Sequence, residues 1–403
     1  MESMLEMRFY FVKTSRNYLS FVVAYLFYYF SFAIFSCLIA VYLMDKGYSA
    51  SETSLVVSSS FLSSMIAQPI IGSLSDRFSL KSVNSVTFFL AAVGGLCFAY
   101  ADTLWELILG YSLVLALING SNPVLEKFAT ISPFKYGSIR VWGTIGYALG
   151  SQAAGLVYDW ISPRAIFFTF VITMLISIGG LSLTHPDDRK QAALEKAKQT
   201  EENHENSHFL SLFKNRLFVQ YLLISAIFYS LMNMANTYIP AMFQARGLAI
   251  HTVSNILFWA VLCEVPVVFF SYLFMDRFSN KVLLIVPICI VLAQFLSFGL
   301  NLYLPIQIFW TFLAKHPAGM VVVMMNLKVV ATLIPAKHQL TALALIQTVR
   351  NLASIFAQTI FGVILEHSNY QVMFSLAALT LSVALVLLIF YKIPKRPKEN
   401  IFS

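Results

Sequence analysis

Hydrophobic positions in this chain neither alternate nor fall into one-sided stripes. They come in continuous runs of roughly 20 residues, broken by short clusters of charge, proline and glycine. A helix of that length covers about 30 Å, the thickness of a bilayer's hydrocarbon core, whereas a barrel strand needs only about 10 residues. Lipid offers no hydrogen bonds to the backbone, so runs of this length predict helices. The breaks place twelve of them, at 17–43, 52–74, 82–100, 104–125, 138–158, 163–183, 217–243, 252–274, 282–302, 305–334, 340–366 and 370–392. Pro123 is a reason to end the fourth by 125. The one long polar segment, 184–215, separates six spans from six and reads as a solvated linker whose middle suits a helix. The expected fold is an all-α integral membrane protein of twelve transmembrane helices in two pseudo-symmetric bundles, 1–183 and 216–403.

Composition agrees: 58% of residues are hydrophobic, 11% are charged, and the mean hydropathy is +0.74. Charge adds orientation. With both termini and the linker on one side, that side collects most of the 27 Lys and Arg, while the opposite loops hold Lys46, Arg164 and Arg246. Both termini are therefore expected in the cytoplasm, with the chain multi-pass in the plasma membrane. The same asymmetry accounts for the net charge of +8, so no nucleic-acid partner is called for. A charged, aromatic N-terminus before a long first span argues against a cleavable signal peptide. Cys37, Cys97, Cys263 and Cys289 lie singly inside spans and read as packing residues, with neither a disulfide nor a metal implied. No P-loop or G-x-S-x-G is present and no cofactor is implied, which argues against an enzyme and against ATP-driven transport. The short loops argue against a sensor with a large soluble domain. The chain is expected to work as a monomer.

The hexapeptide "DRFSLK" at 76–81 returns as "DRFSNK" at 276–281. Both copies fall in the cytoplasmic turn after the second span of a half, the mark of parallel repeats. Asp76 is placed to cap the next helix, with Arg77 and Lys81 at the lipid headgroups; Asp276, Arg277 and Lys281 repeat the set. From Gly72 to Ser82 the sequence "GSLSDRFSLKS" resembles the signature of the major facilitator superfamily, G-x-x-x-D-R-x-G-R-[KR], with Ser79 and Leu80 as departures. That resemblance implies a turn that latches one conformation, and the first copy, nearer the signature, is expected to matter more to transport.

The stretch "YGSIRVWGTIGYALGS", 136–151, resembles the fifth helix of lactose permease and the related oligosaccharide/proton and nucleoside/proton symporters. Arg140, Thr144, Tyr147 and Ser151 share one helix face, polar within an apolar helix. Gly143, Gly146 and Gly150 read as close-packing positions. Arg140 is either a snorkelling residue or one that faces a cavity, and the second reading is preferred. The resemblance implies that Arg140 binds sugar hydroxyls and that Tyr147 stacks on the ring. Glu126 is the carboxylate expected to serve Arg140; the alternative is an interfacial Glu126–Lys127 pair open to water. Asn119 and Asn122 are further polar candidates.

In the second half, Glu264 is the one acidic residue well inside a span. It resembles the eighth-helix glutamate of these symporters and is a candidate proton carrier or the partner of Arg350 in a structural ion pair. Lys315 and His316 are adjacent, hence about 100° apart on a helix, and share a cavity only if Pro317 distorts it. The acid that lactose permease keeps one turn later has no counterpart, which leaves Glu264 or His316 as carrier, or a uniporter. Tyr28 in the first span, and Asn233 and Asn236 in the seventh, suit a hydroxyl-rich solute. The expected function is proton-coupled uptake of a sugar or oligosaccharide. Nucleoside or aromatic-acid symport, and drug or sugar export by proton antiport, are the alternatives; the fifth helix lacks the proline of the antiporter motif.

Overall fold

The structure, a computed structural model, describes residues 2–192, 212, 214–335 and 338–393. The helices, in chain order, are α1 (Glu2–Ser36), α2 (Ile39–Asp45), α3 (Ala50–Arg77), α4 (Leu80–Ala99), α5 (Leu104–Thr130), α6 (Tyr136–Trp160) and α7 (Ala165–Ser182), then α8 (Arg216–Ala245), α9 (Ile250–Leu262), α10 (Glu264–Phe269), α11 (Ser271–Phe274), α12 (Asn280–Gly299), α13 (Leu304–Leu313), α14 (Gly319–Leu333), α15 (Gln339–His367) and α16 (Tyr370–Phe390). Described residues include no strand. The middle of the polar linker and the basic tail beyond 393 lie outside the described residues.

The twelve predicted spans all map onto helices, with four local differences. The first is interrupted at Cys37 and Leu38, between α1 and α2. The fourth does not stop near Pro123: α5 continues to Thr130, carrying the proline inside it. The eighth breaks at Cys263 into α9, α10 and α11. The tenth contains a π-helical turn, Ala314–Ala318, between α13 and α14, where Pro317 removes a backbone donor and wraps the chain wider. None of the four cysteines forms a disulfide, and Cys97 and Cys289 are exposed on the surface of their bundles instead of packed inside.

Two compact units form: Met1–Leu38 with Ser63–Glu205, and Ile39–Leu62 with Asn206–Ser403. Residues 39–62, from the first half of the chain, belong to the second unit, where α2 packs on α8. Within the first unit α1 packs on α6 and α7, and α4 on α5 and α7. Within the second, α8 packs on α15 and α16, and α12 on α16 and the tenth-span helices. These are the same pairings, span for span. Even the turns repeat: the helices ending at Asp45 and Ala245 close on Gly47 (φ 96°) and Gly247 (φ 87°), a left-handed backbone that favours glycine.

The repeated hexapeptide explains itself at this level. Ser79 and Ser279, not the aspartates, cap α4 and α12, accepting from the backbone N–H of Ser82 and Val282. Lys81 does not reach for headgroups. Its Nζ donates to the Ser182 and Thr184 carbonyls at 2.6 and 3.0 Å, where α7 ends, and Lys281 Nζ donates to Ile389 O at 2.5 Å, where α16 ends. A lysine at a helix C-terminus satisfies carbonyls left over by the helix and opposes its dipole. Asp76 lies 3.9 Å from Lys127 on α5, and Asp276 lies 4.0 Å from Lys328 on α14. One motif thus ties the third, fourth and sixth helices of each half together. Arg77 and Arg277 are exposed, and a Cβ at Gly72 would meet open space.

Candidate functional site

In the first unit the polar residues converge on Glu126. Continuation of α5 past Pro123 turns this carboxylate inward, so the exposed Glu126–Lys127 pair does not form; Lys127 faces Asp76. Arg140 Nε sits 2.7 Å from Glu126 Oε1, with a quarter to a third of each side chain exposed. Tyr29 O–H donates to the same oxygen at 2.6 Å and lies 2.9 Å from Asn122 Oδ1; Tyr136 O–H donates to Glu126 Oε2 at 2.6 Å. The Arg140 guanidinium lies over the Tyr29 ring, 4.7 Å from its centroid. Each part has a local cause. A Cβ at Gly143 would come within 2.7 Å of the Tyr29 ring, and one at Gly146 or Gly150 would overlap the Leu26 or Phe30 carbonyl. The glycines thus seat α6 directly on the α1 backbone and bring Arg140 to Tyr29.

Of the other predicted first-half residues, Thr144 and Tyr147 are half-buried on the Arg140 face, with Tyr147 edge-on to Phe32 at 5.7 Å. Asn119 Nδ2 donates to Ser64 Oγ at 2.9 Å. Tyr28 is fully buried, donates to Ile118 O at 2.6 Å and stacks on Phe88, so it joins α1 to α5 and α4 and does not face outward.

The second unit repeats the wiring with one part changed. Arg350 on α15 lies over the ring of Tyr229, its guanidinium 3.1 Å from the centroid. Tyr229 stands two hundred positions after Tyr29, and Asn326 two hundred after Glu126. Asn326 Oδ1 accepts from Tyr221 O–H at 2.6 Å, and Tyr229 O–H donates to Gly319 O at 3.5 Å. The Glu264–Arg350 pair, the structural alternative for this carboxylate, does not form. Glu264, at the helix break that follows Cys263, faces His316 Nδ1 at 3.4 Å, with 13% and 19% of the two side chains exposed. The π turn resolves the angular conflict between Lys315 and His316: it directs His316 to Glu264 and leaves Lys315 half-buried beside it. Asn233 Nδ2 donates to Ser354 Oγ at 2.8 Å, and Asn236 Oδ1 is buried without a hydrogen-bond partner.

Sequence reasoning missed the roles of Tyr136 and Asn326. Tyr136 is one turn before Arg140 on the same face, and the two-hundred-residue repeat that revealed the hexapeptide also marks Asn326 as the counterpart of Glu126. No group of three or more metal-ligating side chains occurs among the described residues.

A profile of the Major Facilitator Superfamily matches residues 21–329. An uncharacterized transporter of Bacillus subtilis, YwbF, is 22% identical over 272 residues, 66% of this chain and 66% of its own length. The sucrose permease of Escherichia coli is 23% identical over 403 residues, 94% of each chain. Among solved structures, the nucleoside transporter NupG superposes with a TM-score of 0.77 at 14% identity, over 95% of this chain and all of that one. A D-xylose-proton symporter gives 0.68 at 16% identity, over 94% and 98%. The likeness to both shows the twelve-helix fold, and the length of the profile match shows the family. The chain belongs to the Major Facilitator Superfamily and is a membrane transporter, not an enzyme.

Proposed function

We propose that this transporter carries a sugar or oligosaccharide into the cell together with protons, by alternating access, in a plasma membrane with both termini cytoplasmic. The observation that carries the reading is the Glu126–Arg140 pair at 2.7 Å, flanked by Tyr29 and Tyr136. A vicinal diol is both donor and acceptor. The guanidinium supplies donors in a fixed plane and the carboxylate supplies acceptors, each already held by neighbours, so little ordering is left for the solute to bring about. Tyr147, two turns along the same face, offers an aromatic surface to the apolar face of a sugar ring. A sucrose permease among the relatives supports the solute class, and a proton symporter among the structural neighbours supports the coupling.

Glu264 and His316 are the groups placed to carry the proton. They face each other at 3.4 Å and are mostly buried; a proton on Glu264 removes its negative charge from a low-dielectric setting, whereas a proton on His316 makes an imidazolium whose charge the facing carboxylate offsets. Uptake of labelled disaccharides into right-side-out vesicles tests the proposal. Accumulation above the external concentration, collapsing when the pH gradient is dissipated, is expected; accumulation indifferent to that gradient refutes proton coupling, and no saturable disaccharide uptake under either condition refutes the solute class.

A further inference from the structure

The contact between α8 and α15 is a ladder with a step of four residues on both helices. Its rungs are Tyr229 with Arg350, Asn233 with Ser354 at 2.8 Å, and Thr237 with Gln358 at 3.3 Å. The last two are neutral hydrogen bonds. The first carries a full positive charge, and its Nε is buried with no hydrogen-bond partner. No carboxylate among the described residues pairs with this guanidinium. Glu264 is engaged by His316, and Asp276 faces the fully buried Lys328.

The first unit shows what is missing. There the arginine stacked on the repeated tyrosine is neutralised by Glu126; here the corresponding position is Asn326, whose amide accepts from Tyr221 but brings no charge. An arginine kept inside a membrane bundle without a counter-ion is costly, and such residues mark ligand pathways. Tyr229 covers one face of the guanidinium, and the group whose geometry matches a guanidinium edge is a planar one with two oxygens. One uncompensated charge calls for one negative charge.

We infer that Arg350 is the docking point for a carboxylate carried by the transported solute. This rests on the reading of the chain as a solute carrier but not on the solute being a sugar. A sugar acid satisfies both proposals, whereas an aromatic carboxylic acid satisfies this one alone.

The test is equilibrium binding to the purified full chain in lipid nanodiscs, with glucose, glucuronate and 3-phenylpropionate as probes. Glucose and glucuronate differ only in the carboxylate. At least one of the two acids is expected to bind about tenfold or more tighter than glucose, a difference of about 1.4 kcal/mol, and Arg350→Gln is expected to erase that preference. Asn326→Glu installs the internal carboxylate of the first unit. It is expected to weaken acid binding by about tenfold without lowering the thermal unfolding temperature, which separates loss of the site from loss of the fold. Acids that bind no tighter than glucose, or not at all, overturn the inference, as does an acid preference that survives in Arg350→Gln. Arg350-dependent binding of 3-phenylpropionate with no binding of either sugar retains the inference and removes the sugar reading; glucose binding with no binding of either acid does the reverse.

Discussion

The two halves of this transporter set an arginine on a tyrosine in the same way and then diverge by one residue. Tyr29 and Arg140 share Glu126, while beside Tyr229 and Arg350 the position two hundred residues on from Glu126 is Asn326, which accepts from Tyr221. The stacked pair is the scaffold common to both copies, and the acid is the variable part. Where the acid is present, the cation is neutralised and its remaining donors suit hydroxyls; where an amide replaces it, the charge is left for a ligand. The second half instead places its carboxylate on another helix, where Glu264 meets His316.

That relocation gives the largest expected effect. Glu264→Gln, which mimics a protonated carboxyl, is expected to abolish accumulation driven by a pH gradient while leaving exchange of solute across the membrane. Wild-type accumulation in the variant would show that the proton is carried elsewhere, and His316→Gln is then the variant to measure.

Next is the pair that the second half lacks. Glu126→Gln leaves Arg140 without its anion and two tyrosines without their acceptor. Loss of one partner of a fully buried pair costs about 3–5 kcal/mol, but both side chains here keep part of their surface exposed. A loss of about 2 kcal/mol, roughly thirtyfold in solute binding, is expected by titration. Arg140→Lys keeps the charge and loses the planar fork, so binding is expected to weaken about tenfold. Unchanged affinity in that variant assigns Arg140 to structure alone.

The smallest effect separates the two hexapeptides. Asp276 is 6% exposed and Lys328 fully buried, whereas Asp76 and Lys127 are 61% and 37% exposed. Asp276→Asn is expected to lower the thermal unfolding temperature by several degrees and Asp76→Asn to leave it nearly unchanged, the reverse of the order that likeness to the family signature suggests for transport. Equal shifts in the two variants would contradict this account of burial.

Twelve spans could be read from the sequence because hydropathy at that length has one physical solution in a bilayer. What it could not supply was the course of the backbone at its irregularities. Pro123 sits inside α5 and not at its end, and that alone decides whether Glu126 turns to Arg140 or to water. Similarly, Lys315 and His316 could be ordered only once a π turn was known to widen the helix at Pro317. The sequence left the partner of Glu264 open for a related reason: the carboxylate sits at the break at Cys263, and no periodicity records a break. The duplicated hexapeptide was visible at once, but its Ser and Lys roles depend on where helices end.

Among the described helices long enough to cross a bilayer, α6 is the one too polar to qualify as a span on its own, because its 25 residues carry the Arg140 face and a row of glycines. This bears on biogenesis. An arginine costs about 2.5–3.5 kcal/mol at the centre of an isolated inserting helix and less toward its end. Its neutralising groups, Glu126 and Tyr29, lie on helices synthesised earlier, and the glycines that lower its hydropathy fit only against α1. Segment 136–160 by itself is therefore expected to insert poorly in a translocon assay and to insert efficiently when residues 15–135 precede it. Glu126→Gln in the longer chain should reduce that efficiency.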